Sequence, residues 1–532
     1  MLVLPALAAI AIYLPALPGG FLSDDYSLLH TFYGADAREV AARVGKTFVA
    51  GVGPPSNQYR PLTMASFALN TYFSGANAAA WRLVNVLLHG ANAALVALLA
   101  WQLAGVAARG ARSAALAAGL AFAWFAPSAE AVAWIAARFD GMSLFWTLVA
   151  ACTFLASEGW RDRYSLASLG ATVLAFLSKE SAAIAPALII ALAWVRRPEE
   201  EGLLRGTVRA MVRALPWIAI AGAYFVFRAT IFGDPFRFYP GTSPGMALLS
   251  GKWLAALPAS RDWWPLALPE TGPRTAFAWA SLLLGVAAVS ASLRSPPGER
   301  RVLVALGLTF LAALAMLFSH TGWSVTGEGG RVLYAIAAIV ALVVAIPLRT
   351  PDRRLREAAW IVTLVLLASG FLLTQAAVER RAQAGAEVRA LIAALAQTAD
   401  AVPAGSYAFV IVPDHLGSIP FARNGQGGLM LPPVQPRPLS AQLIVQLADD
   451  LPAWPAQLEK NIVGRLKTES IWDVAADREA SGAKLPPAVP DQFFCWSPRS
   501  HALVALPLVF QTGFSDWNEV WGRALDAAGC RA

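Results

Sequence analysis

Charge is what this sequence has least of. Of its 532 residues, 14% are charged and 57% are hydrophobic. Soluble domains carry roughly 25% charged residues. A water-soluble class is therefore excluded, and a polytopic membrane protein is expected. Cysteine is scarce too, with three in the chain. Cys152 lies in an apolar run and reads as packing. Cys495 and Cys530 lie near the end and could pair in an oxidising compartment, which sequence alone leaves open. Neither a P-loop nor a GxSxG, HExxH or paired CxxC motif occurs. No basic stretch precedes the first apolar run, Leu2 to Pro18, and no clear small-residue cleavage site follows it. That run reads as a retained helix rather than a signal peptide.

What is present is a succession of apolar runs. A helix that crosses a bilayer needs about twenty mostly apolar residues. The runs near 2–19, 82–104, 113–127, 139–156, 164–178, 181–195, 212–232, 275–293, 302–319, 332–348 and 358–376 give eleven expected spans, three of them short. With the N-terminus in the cytoplasm, every inner loop is short and basic, as the positive-inside rule asks. Arg109 and Arg112, Arg161 and Arg163, Arg196 and Arg197, Arg300 and Arg301, and Arg353 and Arg354 fall there. The net charge of +8 is thus mostly orientation in the membrane, not a nucleic-acid surface. The expected fold class is an α-helical membrane domain over 1–376. A small extracytoplasmic α/β domain follows over 377–532, with a helix at 377–399 and strands at Tyr407–Val412 and Ala502–Phe510.

On that topology the unusual residues share the outer side. Asp24 and Asp25 stand where the first span ends, and Arg60 lies in the same long loop, 20–81. Loops of that length are usually functional. A helix over 62–74, opened by Pro61, is expected to lie on the membrane surface. Glu130, Arg138 and Asp140 separate two spans; Lys179 and Glu180 fill a very short turn; His320, Glu328 and Arg331 flank another. Trp253, Trp263 and Trp264 in the loop 233–274 read as interfacial anchors or a sugar-stacking surface. Each charge taken singly reads as a solvated loop residue, and Ser23 with the aspartates also fits a helix cap. Collected on one face, they suit a lipid-linked substrate whose phosphate lies at headgroup depth. Arg and Lys there would hold phosphate and the charge building on a departing one. A carboxylate would take the proton of an attacking hydroxyl.

Several of these pieces form an ordered set: Asp24-Asp25-Tyr26, Tyr59-Arg60-Pro61-Leu62 with Asn70, Asn85 to His89, Glu130 to Trp134 with Arg138 and Asp140, Ser178-Lys179-Glu180, and Arg331 to Tyr334. Over roughly residues 20–335 the chain resembles the GT-C superfamily of polyprenyl-phosphate-sugar-dependent membrane glycosyltransferases. Within it, the chain is similar to the transmembrane and protein O-mannosyltransferases and their bacterial relatives. The resemblance implies an inverting transfer of mannose or another hexose from a polyprenyl phosphate. Asp24 is implied as base, with Asp25 orienting it. Glu130, Arg138, Asp140 and Glu180 would line the cavity, and Lys179, Arg331 and Arg60 would serve the lipid phosphate. No cofactor is implied, although Asp24, Asp25 and Glu130 are oxygen ligands of the kind a divalent metal takes. Two departures stand out. Ala126 precedes Pro127 where relatives often have His, and the tail is unlike the tetratricopeptide tail of those enzymes. The acceptor, whether protein, lipid or glycan, is left open. The Arg- and Ala-rich composition points to the inner membrane of a high-GC bacterium, with the site and tail facing the periplasm. A flippase for lipid-linked sugar is the alternative, though it would bring internal repeats. An inactive scaffold of the same fold is another.

Overall fold

The computed structural model describes residues 1–51, 58–105, 108, 110–198, 200–233, 272–294, 297–317, 330–403, 406, 408–417, 419–423, 425–440, 442–448, 492–506 and 523–530. Trp253, Trp263, Trp264, His320, Glu328, Arg109, Tyr407 and positions 507–510 lie outside the described residues. Two compact units divide the chain. The first comprises Met1–Leu17, Ala41–Ser66 and Arg82–Glu379; the second comprises Pro18–Val40, Phe67–Trp81 and Arg380–Ala532.

The first unit is helical. Each of the eleven expected spans contains a helix: Val3–Tyr13, Ala78–Ala104, Ala111–Ala123, Arg138–Ala156, Arg163–Ser178, Ile184–Val195, Leu203–Phe232, Gly272–Arg294, Pro297–Leu317, Tyr334–Val344 and Arg353–Ala401. Among the described residues, six helical segments are by themselves long and apolar enough to cross a membrane, or seven with one bent pair. The expectation of eleven full crossings is not confirmed on length, since several of the helices are short, Val3–Tyr13 and Ile184–Val195 among them. Ala111–Ala123 and Ala126–Ala133 meet at 50°, where Pro127 removes a backbone donor. Lys179 interrupts Arg163–Ser178 and the apolar stretch that follows. The chain is a multi-pass membrane protein. Leu203, Leu204, Val226, Leu308 and Ile361, exposed on its long helices, need a hydrocarbon surrounding. The first helix seats closely because its neighbours are small. A Cβ on Gly119 would stand 2.8 Å from Pro5 Cβ, and one on Gly90 would stand 2.9 Å from Ile10 Cγ1. Small residues allow such approach between membrane helices.

The basic loops also close helix ends. The Arg196 guanidinium donates to the carbonyls of Phe154, Leu155 and Ser157 at 3.3, 3.3 and 2.8 Å. These are among the carbonyls a helix C-terminus leaves unpartnered. Pro61 opens the helix Pro61–Ser74, as expected.

In the second unit, β1 (Ala408–Val412) lies between β4 (Leu443–Leu447) and β5 (Gln492–Ser497) and is parallel to both; β6 (Ala502–Ala505) pairs antiparallel with β5. The short strands β2 (His415–Leu416) and β3 (Ile419–Pro420) form a separate ladder. All five residues of β1 are buried, as a parallel strand covered on both faces requires. A disulfide joins Cys495 of β5 to Cys530, and Cys152 is a buried free thiol. The helix expected over 377–399 is the continuation of the last span, in one helix, Arg353–Ala401.

Asp162 yields a pH prediction. It caps the helix Arg163–Ser178, accepting from the amides of Ser165 (2.7 Å), Glu158 (2.7 Å) and Gly159 (2.8 Å). The backbone donors of Gly159 and Ser165 lead in lowering its pKa from 3.8 to about 2. A depressed carboxyl stabilises the fold above its unfolded pKa and loses that contribution as pH falls through the folded value. Asp162→Ala should lower the thermal unfolding midpoint at neutral pH. The gap to wild type should close between pH 3.8 and about 2.

Candidate functional site

Within the first unit, the charged residues marked in the sequence meet as pairs at the ends of apolar helices. Arg60 binds Glu180 through two bonds, Nε to Oε2 at 3.0 Å and Nη2 to Oε1 at 2.5 Å. Its guanidinium lies over the Phe139 ring, 4.9 Å from the centroid. Lys179 Nζ donates to Asp140 Oδ1 at 2.6 Å. Asp140 stands in the first turn of the helix Arg138–Ala156, where the helix dipole favours a carboxylate. Arg331 donates to Glu130 from Nη1 at 2.5 Å and from its backbone amide at 3.3 Å, and it covers the Trp134 ring at 4.8 Å.

Arg138 is held by uncharged partners. It is fully buried; Nε donates to Asn85 Oδ1 at 2.8 Å, and Nη1 reaches the carbonyl and hydroxyl of Ser66 at 3.3 Å each. Asn85 Nδ2 then donates to the carbonyls of Trp134 and Ile135 at 2.9 and 3.2 Å. Burying isolated ions in apolar surroundings costs many kcal/mol, and in each of the three pairs a cation meets a carboxylate. Exposure separates them: the Arg331 side chain is 25% exposed, against 5% for Arg60 and 6% for Lys179.

A pocket of about 580 Å³ opens beside the Lys179–Asp140 pair. Ser143, Thr147 and Ser181 line its polar side, and Leu144, Ile184 and Ile336 its apolar side. Such a lining suits a molecule with a polar head and a hydrocarbon part.

Asp24 and Asp25 belong to the second unit. Asp25 opens the helix Asp25–Phe32. It is buried and its Oδ2 accepts the Leu22 amide at 3.0 Å, which closes the turn from behind. Asp24 precedes it at the helix cap, caps no backbone amide with its side chain, and is half-buried. Asp25 fastens the turn, and Asp24 is the more accessible carboxylate.

His89 packs rather than reacts. Its ring nitrogens meet the Tyr334 hydroxyl at 2.8 Å and the Ala123 carbonyl at 3.2 Å. Sequence reasoning missed Arg82. It is buried and donates to the carbonyls of Ala133, Ala16 and Leu17 at 2.8, 3.1 and 3.0 Å. An Arg beside an apolar run looks like a loop anchor, and no local signal marks it otherwise. Among the described residues, no three His, Cys, Asp or Glu side chains group to hold a metal ion.

The Arg60–Glu180 pair can be separated into structure and function. Glu180→Ala leaves a buried cation without its carboxylate and should cost about 3–5 kcal/mol, read as a large fall in the detergent-solubilised unfolding midpoint. Arg60→Met with Glu180→Leu should recover most of that stability, since apolar pairs of similar volume often replace buried ions without loss.

No protein-family model matches the chain, and no curated protein matches it. Among solved structures it is similar to ArnT from Cupriavidus metallidurans bound to undecaprenyl phosphate, at 12% identity and TM-score 0.44 over 94% of this chain and 93% of that one. The apo state of the same protein gives 13% identity and TM-score 0.44, over 94% and 93%. The arabinofuranosyltransferase AftD from Mycobacteria gives 14% identity and TM-score 0.47, over 93% of this chain and 35% of that one. At these values the likenesses assign neither activity nor substrate.

Proposed function

We propose that this chain is an integral membrane glycosyltransferase. It moves a hexose, such as mannose, from a polyprenyl phosphate to an acceptor hydroxyl on the extracytoplasmic side of a bacterial inner membrane. The observation that carries this reading is the set of buried cation–carboxylate pairs at the helix ends of the first unit. Holding that many ions in an apolar bundle is costly, and such residues in membrane proteins are functional by default.

In this reading the acceptor oxygen attacks the anomeric carbon as the bond from that carbon to the phosphate oxygen breaks. Configuration inverts. The acceptor's proton passes to Asp24, and Asp25 keeps the turn in place. The polyprenyl phosphate departs with the bonding electrons, and Arg331 and Lys179 hold its charge. Arg331 is the more exposed of the two and meets the phosphate first. Lys179 follows from the pocket it lines. Arg60 supports them through Glu180, and Glu130, Arg138 and Asp140 hold the cations in register. No metal takes part in any step.

The test is a transfer assay with purified protein in lipid, a panel of radiolabelled polyprenyl-phosphate hexoses (mannose, glucose and galactose) and candidate acceptors. Wild type should consume one donor, with or without a chelator. Asp24→Asn should lower kcat by about 100-fold or more, the scale of a lost general base. Arg331→Ala should raise the donor KM by about 10-fold, with part restored by Arg331→Lys, which keeps charge but not the forked geometry. Movement of intact donor across the bilayer without consumption would replace this reading with a flippase. Neither activity across the panel would leave a scaffold.

A further inference from the structure

The tail has had no role so far. In the second unit it builds the far wall of the turn that carries Asp24. Ser23 adopts φ +52, a left-handed conformation that a non-glycine residue holds only where its surroundings impose it. Those surroundings come from residues 421–423 and 425. The Ser23 amide donates to the Phe421 carbonyl at 2.9 Å, and its hydroxyl donates to the Arg423 carbonyl at 2.7 Å, across 400 residues of sequence.

Two glycines make the approach possible. A Cβ on Gly425 would fall 2.2 Å from the Ser23 carbonyl oxygen and 3.0 Å from the Tyr26 ring. One on Gly428 would fall 2.7 Å from Tyr26 Cβ and 3.0 Å from His30. His30 Nε2 lies 3.2 Å from the Gly428 carbonyl. On its other side the turn is closed by Asp25 on the Leu22 amide and by the Tyr26 hydroxyl on the Phe21 carbonyl at 2.9 Å. The loop itself is anchored: the Phe421 amide donates to the Asp414 carbonyl at 2.8 Å, and the Asp414 carboxylate holds His415 Nδ1 at 2.6 Å. The only residues of the turn left half-buried are Asp24 and Ser27.

We infer that the tail residues Phe421–Arg423 and Gly425–Gly428 are a positioning element for the reaction: they set the backbone at Ser23 and thereby the direction in which Asp24 presents its carboxylate. Ser23, Gly425 and Gly428 are the positioning residues. None of them touches substrate. The inference rests on the reading of Asp24 as the base. A base moved by about 1 Å can lose about 100-fold in rate while substrate binding is kept. A residue needed only for folding would instead lower the unfolding midpoint and the amount of active protein together.

The experiment uses the full-length protein and the member of the hexose panel that wild type consumes. Gly425→Ala should lower kcat by about 100-fold with donor KM unchanged. Ser23→Ala, a milder change that removes one hydrogen bond and adds no bulk, should lower kcat several-fold with both KM and unfolding midpoint unchanged. It decides the matter if Gly425→Ala fails to fold. Wild-type kcat in Ser23→Ala and in a folded Gly425→Ala, alongside an inactive Asp24→Asn, overturns the positioning role and leaves the base assignment standing. Full activity in Asp24→Asn overturns the base assignment itself, and the positioning role with it.

Discussion

Charge buried in an apolar bundle must be answered by charge, and the first unit is arranged around that constraint. Arg60 answers Glu180, Lys179 answers Asp140, and Arg331 answers Glu130. Each pair joins a helix end to a distant one, so the pairs also fix which helices are neighbours. Arg138 and Asn85 tie into the backbone at Trp134, the residue whose ring Arg331 covers. Buried ion pairs contribute little net stability, and apolar replacements often do better. What the pairs do here is to set the contacts between chain segments far apart in sequence.

The second unit solves a different problem by different means. It contains a sheet with a buried central strand and a disulfide, yet the residues that matter most to the acidic turn lie in irregular backbone. Residues 421–423 and 425–428 present carbonyls and glycines rather than side chains. Backbone groups have few conformations to lose once the loop is anchored, so they can fix a partner's geometry more firmly than a long polar side chain could.

Much of the first unit was legible in the sequence. Apolar runs located the eleven long apolar helices but not the polar helix Ala37–Ala50, and Lys179-Glu180 between two such runs stood out because so short a turn gives ions little access to water. The partners were not legible. Asp140 lies 39 residues from Lys179 and Arg60 lies 120 from Glu180, and no local pattern encodes such pairings. Arg82 was invisible for the same reason, since its acceptors are carbonyls, which every residue has. The count of eleven spans is not confirmed by helix length, because several of the helices are too short to cross alone. In the tail, nothing in the sequence marks Gly425 and Gly428 as the places where a Cβ would meet Ser23 and Tyr26.

The hydrogen bond from Ser23 to Arg423 has a consequence for biosynthesis. The acidic turn leaves the ribosome some four hundred residues before the loop that braces it. A nascent chain therefore inserts its first helices with the aspartates present but not yet aimed. The Ser23 backbone gains its brace only when translation has delivered the final quarter of the polypeptide.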